Sequence, residues 1–171
     1  MLGTTHNQNI ANPKRLVPRT EGPPVAETLR IVVEKVCSIM RADGAVIALR
    51  DRNGICCVAS TGDAPPVGSR IQPDSDFTRE CVETGAVMLC KDALADSRIR
   101  FSIAQVLHLR SVVAVPIQTQ GSVLGLLEVF SLRPFAFDTA QADTLQAVAN
   151  LLVRVVLASV QNGLLSPDIS M

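Results

Sequence analysis

The chain has 171 residues, a length typical of a single domain. Its 16 basic residues balance its 16 acidic residues, which argues against a broad electrostatic affinity for nucleic acid or an anionic membrane. Hydrophobic residues make up 47% and aromatic residues 3%. This composition excludes wholesale disorder and leaves few stacking platforms for single-stranded nucleic acid.

The sequence also predicts where the protein is located and whether its cysteines form disulfides or bind metal. Residues 1–10 are polar and lack a signal-peptide pattern, and no run of eighteen apolar residues predicts a membrane span. We therefore expect a cytoplasmic protein with neither a membrane nor a nucleic acid as its partner. Five cysteines without a C-x-x-C pair disfavour a disulfide framework and a thiolate zinc site, and two histidines exclude a His-rich metal site. No metal or cofactor is predicted.

The first half of the chain predicts a helix and a hairpin. Residues 1–24, rich in proline and polar residues, are interpreted as a tail. Apolar residues at helical spacing predict an amphipathic helix over 25–41. The runs 45–52 and 55–61 are β-prone and surround Asn53-Gly54, a dipeptide that favours a hairpin because both residues tolerate positive φ. A loop rich in proline and glycine is predicted over 62–73.

The middle of the chain alternates short helices and strands. A small helix is predicted over 76–83, with Asp76 as its N-cap and Gly85 as its stop. The remaining predicted elements are a strand over 87–91, a loop over 92–100 and one or two helical turns over 101–108.

The last third predicts two longer strands and a long helix. Strands over 111–119 and 122–132 surround the turn Gln120-Gly121, and their near-continuous apolar runs indicate a sheet covered on both faces. Asp138 or Thr139 is expected to cap a helix that continues to about residue 160. That helix is apolar on more than one side, so one side can pack on the sheet and the other needs a second partner. Residues 163–171 are interpreted as a tail.

Together these elements predict an α+β domain over residues 25–162. We expect a central antiparallel sheet of five to six strands, with the N- and C-terminal helices packed on one face. Short helices and loops are expected over the other face.

Several segments resemble a known family in their order and spacing. They are F-T-R-E-C-V-E-T-G (77–85), S-V-V-A-V-P-I (111–117), V-L-G-L-L-E-V-F-S (123–131), Pro134-Phe135 and the long last helix. Over about residues 25–160 the chain resembles a GAF domain, most specifically in the V-P-I strand and the V-L-G-L-L strand after it. The resemblance implies a cytoplasmic sensory module of GAF/profilin-like architecture. It also implies terminal helices that often dimerise and a ligand pocket on the opposite face of the sheet.

The resemblance also implies several classes of ligand, among them cyclic nucleotides, bilins and haem. The binding residues of each class can be compared with the residues at the matching positions of this chain. Cyclic-nucleotide-binding members carry N-K and D-E pairs, and this chain has Ser131-Leu132 and Gln141-Ala142 at those positions, although Phe137 is retained. A bilin-binding Cys-His pair is replaced by Ile99-Arg100. The one candidate for an axial haem ligand in the domain is His108, eight residues before Pro116, out of register with haem-binding members.

One enzymatic subclass is also weighed. Free methionine-R-sulfoxide reductases use cysteines near the small helix and the strand and loop after it, and Cys81 and Cys90 fall close to such positions. The loop over 92–100 has no cysteine, so the third thiol is missing. Packing of Cys81 beneath the small helix is favoured over redox chemistry.

Candidate ligand-binding residues are chosen by chemistry. Arg98, Arg100 and Arg110 could clamp an anionic ligand, could pair with Asp92 and Asp96, or could be solvated. The predicted ligand-binding set is Ile47, Phe77, Cys81, Asp92, Arg98, Phe101, His108, Arg110 and Val112. The apolar members are core unless a cavity exists, and His108 is expected to be partly buried. Glu128, a carboxylate in an apolar strand, either reaches polar partners or faces a polar cavity, and the first interpretation is preferred.

The predicted function is a non-enzymatic sensory domain that binds a small molecule. It would act as a homodimer through the helices over 25–41 and 140–160. A ligand-free dimerisation scaffold and a thiol-dependent free methionine sulfoxide reductase remain the alternatives.

Overall fold

The computed structural model describes residues 25–71 and 76–161, and the two predicted tails lie outside them. The elements, in chain order, are α1 (Val25–Met40), β1 (Gly44–Asp51), β2 (Gly54–Gly62), β3 (Arg70–Ile71), α2 (Asp76–Thr84), β4 (Met88–Cys90), α3 (Phe101–Val106), β5 (Ser111–Thr119), β6 (Ser122–Ser131) and α4 (Thr139–Gln161). Every predicted helix and strand is present within a few residues of its predicted bounds.

The six strands form one antiparallel sheet in the order β3-β2-β1-β6-β5-β4. The predicted fold class, an α+β domain around a central antiparallel sheet, is confirmed. Strand β3 was predicted as loop, which was wrong. It has two residues, and Arg70 pairs with Cys56 and Ile71 with Ile55 at the sheet edge. Two residues are too few for an alternating pattern to be seen in sequence.

Alternation along β6 assigns the two faces of the sheet, because successive side chains point to opposite sides. Leu127 and Val129 belong to a core cluster with residues of α1 and α4, and we call this side the helix face. Leu126 and Phe130 belong to a second cluster with Phe77, Cys81 and Val82 of α2, and we call this side the α2 face. The terminal helices thus cover one face and the short helix α2 the other, as the predicted architecture has it.

Helix α4 begins with a reciprocal capping box. The Gln141 amide donates to Asp138 Oδ1 at 2.9 Å, and the Asp138 amide donates to Gln141 Oε1 at 2.9 Å. This confirms Asp138 as the predicted cap. By length and composition, Thr139–Ser159 could cross a membrane, but a third of that segment is buried and its buried residues pack on the sheet. A single helix of this length and composition is weak evidence for a membrane span.

Helix α2 ends as the sequence predicted. Gly85 has φ of 68°, a left-handed conformation that glycine adopts without strain, and its amide donates to the Cys81 carbonyl at 3.0 Å. Helix α3 is shorter than predicted. It ends at Val106, and His108 follows with φ of 51°.

Asp43 joins the beginning of β1 to the end of β6. Its carboxylate accepts hydrogen bonds from the Ser131 hydroxyl at 2.6 Å and from the Leu132 amide at 2.8 Å. These donors favour the ionised form and lower the pKa of Asp43 below its usual value. The contact fixes the ends of the two central strands, from which both faces of the sheet are built.

Candidate functional site

The centre of the α2 face carries a carboxylate. Glu128 lies on β6 in direct register with Val46 of β1 and Ala114 of β5, so the three side chains point to the same face. The same row continues to Ser60 on β2 and Met88 on β4. A charged residue therefore lies in the middle strand pair of the sheet, among apolar neighbours.

Glu128 is half-buried and without a polar partner. Within residues 25–71 and 76–161, no hydrogen-bond donor or cation contacts its carboxylate, and no fully buried side-chain oxygen lacks a hydrogen bond. The carboxylate oxygens must therefore border space that solvent can enter. Desolvation by the surrounding residues raises the pKa of Glu128 to about 7.

The residues around Glu128 are small or apolar, and they are almost fully buried. Its two register neighbours are Ala114 and Val46, and Ala48 follows Val46 on the same face of β1. These side chains are small, whereas the long carboxylate projects past them. Above them, Cys81 of α2 is close enough for the Glu128 charge to raise its pKa. The candidate site is thus Glu128 together with the apolar residues that lie between the sheet and helix α2.

Three predicted site residues come together here. Phe77 and Cys81 of α2 and Val112 of β5 are all buried in the cluster on the α2 face. The Arg98 guanidinium lies 5.2 Å from the centre of the Phe77 ring, which places Arg98 at the border of the same cluster.

Two of the three candidate arginines are each held by an aspartate, and the third, Arg100, is exposed. Arg98 donates to both Asp96 oxygens, at 2.9 and 2.5 Å, and to the Leu89 carbonyl at 3.2 Å. These bonds lower the pKa of Asp96 to about 2. Arg110 donates to both Asp92 oxygens, at 3.2 and 3.1 Å. The sequence left it open whether these arginines clamp an anion, pair with aspartates or are solvated. In the structure, Arg98 pairs with Asp96 and Arg110 with Asp92.

Ile47 does not lie at this site. It is fully buried on the helix face, because Val46 and Ala48 take the α2 face and alternation sends Ile47 to the other side.

Phe101 and His108 were also predicted as pocket or partly buried residues, and both are exposed. Phe101 begins the short helix α3 and is 57% exposed, since Ala104 is the residue of α3 that packs inward. His108 follows the last turn of α3, in the left-handed conformation that points it into solvent.

Sequence reasoning left Glu128 out of the site, yet the signal was present. A lone glutamate within V-L-G-L-L-E-V-F has to lie on one face of a doubly covered strand. Deciding between a strand edge and a cavity required the strand order, which places β6 between β1 and β5.

Comparison with known proteins now decides the family. The GAF domain family model matches residues 24–156. The chain belongs to the GAF domain family. No curated protein sequence matches it significantly.

Solved GAF domains share this fold. The GAF domain of an Acinetobacter phosphoenolpyruvate-protein phosphotransferase is 21% identical, with 85% of this chain and 89% of that chain covered and a TM-score of 0.73. The corresponding domain from Coxiella burnetii is 19% identical, with the same coverage and a TM-score of 0.74. The free methionine-R-sulfoxide reductase of Neisseria meningitidis is 20% identical, with 81% of each chain covered and a TM-score of 0.69.

The positions weighed for GAF subclasses have local structural roles in this GAF domain. Ser131 donates to Asp43, and Gln141 forms the capping box of α4. Ala142 lies on the buried side of α4, in the cluster of the helix face. Ser131, Gln141 and Ala142 therefore each have a structural role that does not involve a cyclic nucleotide.

The two cysteines weighed for reductase chemistry are buried. Cys81 and Cys90 are 0% and 1% exposed, and desolvation raises the pKa of each thiol to about 12. Thiol chemistry requires an accessible thiolate, so this environment disfavours it. Among the described residues, no group of three or more His, Cys, Asp or Glu side chains is arranged to hold a metal ion.

Proposed function

We propose that this GAF domain is a non-catalytic sensory module that binds a small molecule on the α2 face of its sheet. The observation that carries the proposal is Glu128, a carboxylate that borders solvent-accessible space at the centre of an otherwise apolar surface. Ligand sites are commonly apolar clefts with a few polar groups that fix orientation. The α2 face has this composition.

The helix face is where ligand binding would change the arrangement of the terminal helices. Strands β1, β5 and β6 are shared by both faces, so a ligand that shifts them acts on the packing of α1 and α4. A ligand changes the output only if it binds one arrangement of these helices better than another. We propose that a second copy of the chain packs against these helices and responds to their arrangement.

Helix α4 offers the surface for that second copy. Exposed positions recur at spacings of four and three along it: Ala140, Thr144, Ala147, Leu151, Arg154 and Ala158. This is the spacing of a coiled-coil seam, and Leu151 at its middle is 72% exposed.

The absence of catalysis is part of the proposal. Some solved structures of this fold are methionine sulfoxide reductases, so the fold alone leaves the question open. The burial of Cys81 and Cys90 supports the non-enzymatic alternative, because neither thiol is poised to attack a sulfoxide. The five free cysteines also fit the cytoplasm, which keeps thiols reduced.

Ligand binding is tested by titrating the full chain with a metabolite library while its melting temperature is followed. A ligand that binds the native state must raise that temperature, and we expect at least one compound to do so. If none does, and the interior of a crystal structure is solid, the ligand-free scaffold replaces the sensory domain.

Catalysis is tested by assaying reduction of free methionine sulfoxide with dithiothreitol as the reductant. We expect no turnover by the wild type. Turnover that is lost in Cys81→Ser or Cys90→Ser would establish the reductase instead.

The dimer is tested by light scattering after size-exclusion chromatography. We expect a dimer for the wild type and a monomer for Leu151→Glu, since a charge in the seam must be desolvated. Val106→Glu places the same charge on α3, at a residue that is 78% exposed, and should leave the dimer intact. A wild-type monomer at every concentration would contradict this part.

A further inference from the structure

We propose that Glu128 anchors the ligand and that the ligand is a small apolar molecule carrying a cationic nitrogen, such as a protonated amine or amidine. The inference rests on the proposed function and names the chemical class that the α2 face would recognise. It is carried by the placement of a single carboxylate without a partner among apolar side chains.

The first step is the position of the carboxylate. Glu128 lies on β6, which is paired on both sides by β1 and β5, so its backbone is held by two ladders of hydrogen bonds. The side chain therefore starts from one of the most rigid parts of the domain. A binding group on a central strand is more accurately placed than one on a loop.

The second step is the missing counter-charge. In the described part of the chain, no cation or hydrogen-bond donor contacts Glu128, and desolvation is the cause of its raised pKa. Arg98, which lies over the Phe77 ring, is already bonded to Asp96 and to the Leu89 carbonyl. Arg110 is bonded through two nitrogens to Asp92. These two arginines are therefore paired with aspartates, and the central carboxylate is left without a cation among the described residues.

The third step is the choice of ligand charge. An anion would be repelled by ionised Glu128 at a site where low dielectric strengthens the interaction. A cationic nitrogen instead supplies the donor that the carboxylate lacks, and charge-assisted hydrogen bonds are about twice as strong as neutral ones. The raised pKa of Glu128 is what an unpaired carboxylate shows before such a partner arrives.

The fourth step is the shape of the rest of the ligand. The side chains that flank Glu128 along β6 are Leu126 and Phe130, and those beside it are Val46 and Ala114. Phe77 and Cys81 face them from α2. These side chains are at most 9% exposed, so a ligand body that enters among them must be apolar, and the nitrogen is its one strongly polar end.

The test compares amines with alcohols of the same shape. The full chain is titrated at pH 8 with four amines: isobutylamine, n-hexylamine, phenethylamine and agmatine. The alcohol of the same shape is titrated as the control for each of the first three. Binding is followed by calorimetry and by NMR. At pH 8 the amines are protonated and Glu128 is ionised. We expect at least one amine to bind at least tenfold more tightly than its alcohol.

Two variants assign any selectivity to Glu128. Glu128→Gln removes the charge and keeps the shape, so amine selectivity should fall to within about twofold of unity. Glu83→Gln makes the same change on an exposed residue of α2 and should retain it. Between pH 8 and pH 5.5 Glu128 gains a proton, so the affinity of the wild type for the amine should fall about tenfold or more. The affinity of Glu128→Gln for the same amine should not change over this range.

The outcomes separate the inference from the proposed function. If amines and alcohols bind equally, or if selectivity survives in Glu128→Gln, the inference is wrong while the sensory domain stands. If no amine binds while an anionic or neutral member of the metabolite library does, the inference is also wrong. If amines, alcohols and the library all fail to bind, the proposed function fails with it.

Discussion

The two faces of the sheet are built from the same strands and have opposite character. Leu127 and Glu128 are neighbours in β6, yet Leu127 is fully buried beneath the terminal helices, and Glu128 on the α2 face is partly exposed and desolvated. On the helix face the buried cluster is apolar throughout. One strand can therefore serve a stable core and a binding surface at once, because alternation keeps the two sets of side chains apart.

The largest expected effect compares two leucines of β6. Leu127→Ala should destabilise the domain by about 3–5 kcal/mol, because the close-packed helix face cannot collapse into the cavity. Leu126→Ala, on the α2 face, should cost less, about 2–3 kcal/mol, because the short helix α2 can move into the cavity more readily than the longer helices α1 and α4. Both side chains are 0% exposed. Urea unfolding measures the two losses, and a larger loss for Leu126→Ala would break the comparison.

The second prediction concerns the pH dependence of stability. Glu128 has a higher pKa in the folded state, about 7, than its ordinary value of 4.5, so the folded state binds the proton more tightly. Stability should therefore fall as the pH rises from about 4.5 to about 7. Glu128→Gln should be more stable than the wild type by about 1–3 kcal/mol at pH 8, and by almost nothing at pH 4.

Urea unfolding of both proteins across this range measures that difference, and Glu83→Gln is the matched control. Glu83 is exposed on α2, so its replacement should give a difference that hardly changes with pH. A wild type that equals Glu128→Gln at pH 8 would contradict an unpaired, desolvated carboxylate.

The third prediction concerns the contact that serves both faces. Asp43→Asn should destabilise the domain by about 1–2 kcal/mol, because Ser131 and Leu132 lose a charged acceptor. The lowered pKa of Asp43 means that its contribution is present above its ordinary pKa of 3.8 and is lost as the pH falls through the lower folded value. Ligand affinity should not change, since Asp43 lies at the strand ends. Unfolding and binding curves of the variant measure both, and an altered affinity would show that the faces are coupled there.

The smallest expected effect is confined to the helix face. Asp138→Ala removes the capping box of α4 and should cost about 1 kcal/mol. Amine binding should be unaffected, because α4 packs on the opposite side of the sheet. A thermal melt and a binding titration measure the two effects. Loss of binding without loss of stability would refute the separation of the faces.

Local patterns were enough to predict the elements and the fold class. The spacing of apolar residues gave α1 and α4, Asn53-Gly54 gave the first hairpin, and Gly85 gave the end of α2. Each of these signals depends on neighbours in sequence, where propensity and turn chemistry act.

The site was predicted less well, because it depends on contacts between residues far apart in sequence. Phe77, Cys81 and Val112 lie in the cluster on the α2 face, whereas Ile47 is one residue out of phase and points the other way. The pairing of Arg110 with Asp92 was one of three open alternatives. The interpretation preferred for Glu128, contact with polar partners, was wrong, since none contacts it among residues 25–71 and 76–161.

The central claim is that Glu128 is an unpaired carboxylate in an accessible apolar site. It is tested most directly by ¹³C NMR titration of the glutamate side-chain carboxyls, with Glu128→Gln used to assign the signal. We predict a pKa near 7 for Glu128 that falls when an amine binds. A pKa at the ordinary value of 4.5, unchanged by every amine, would contradict the account.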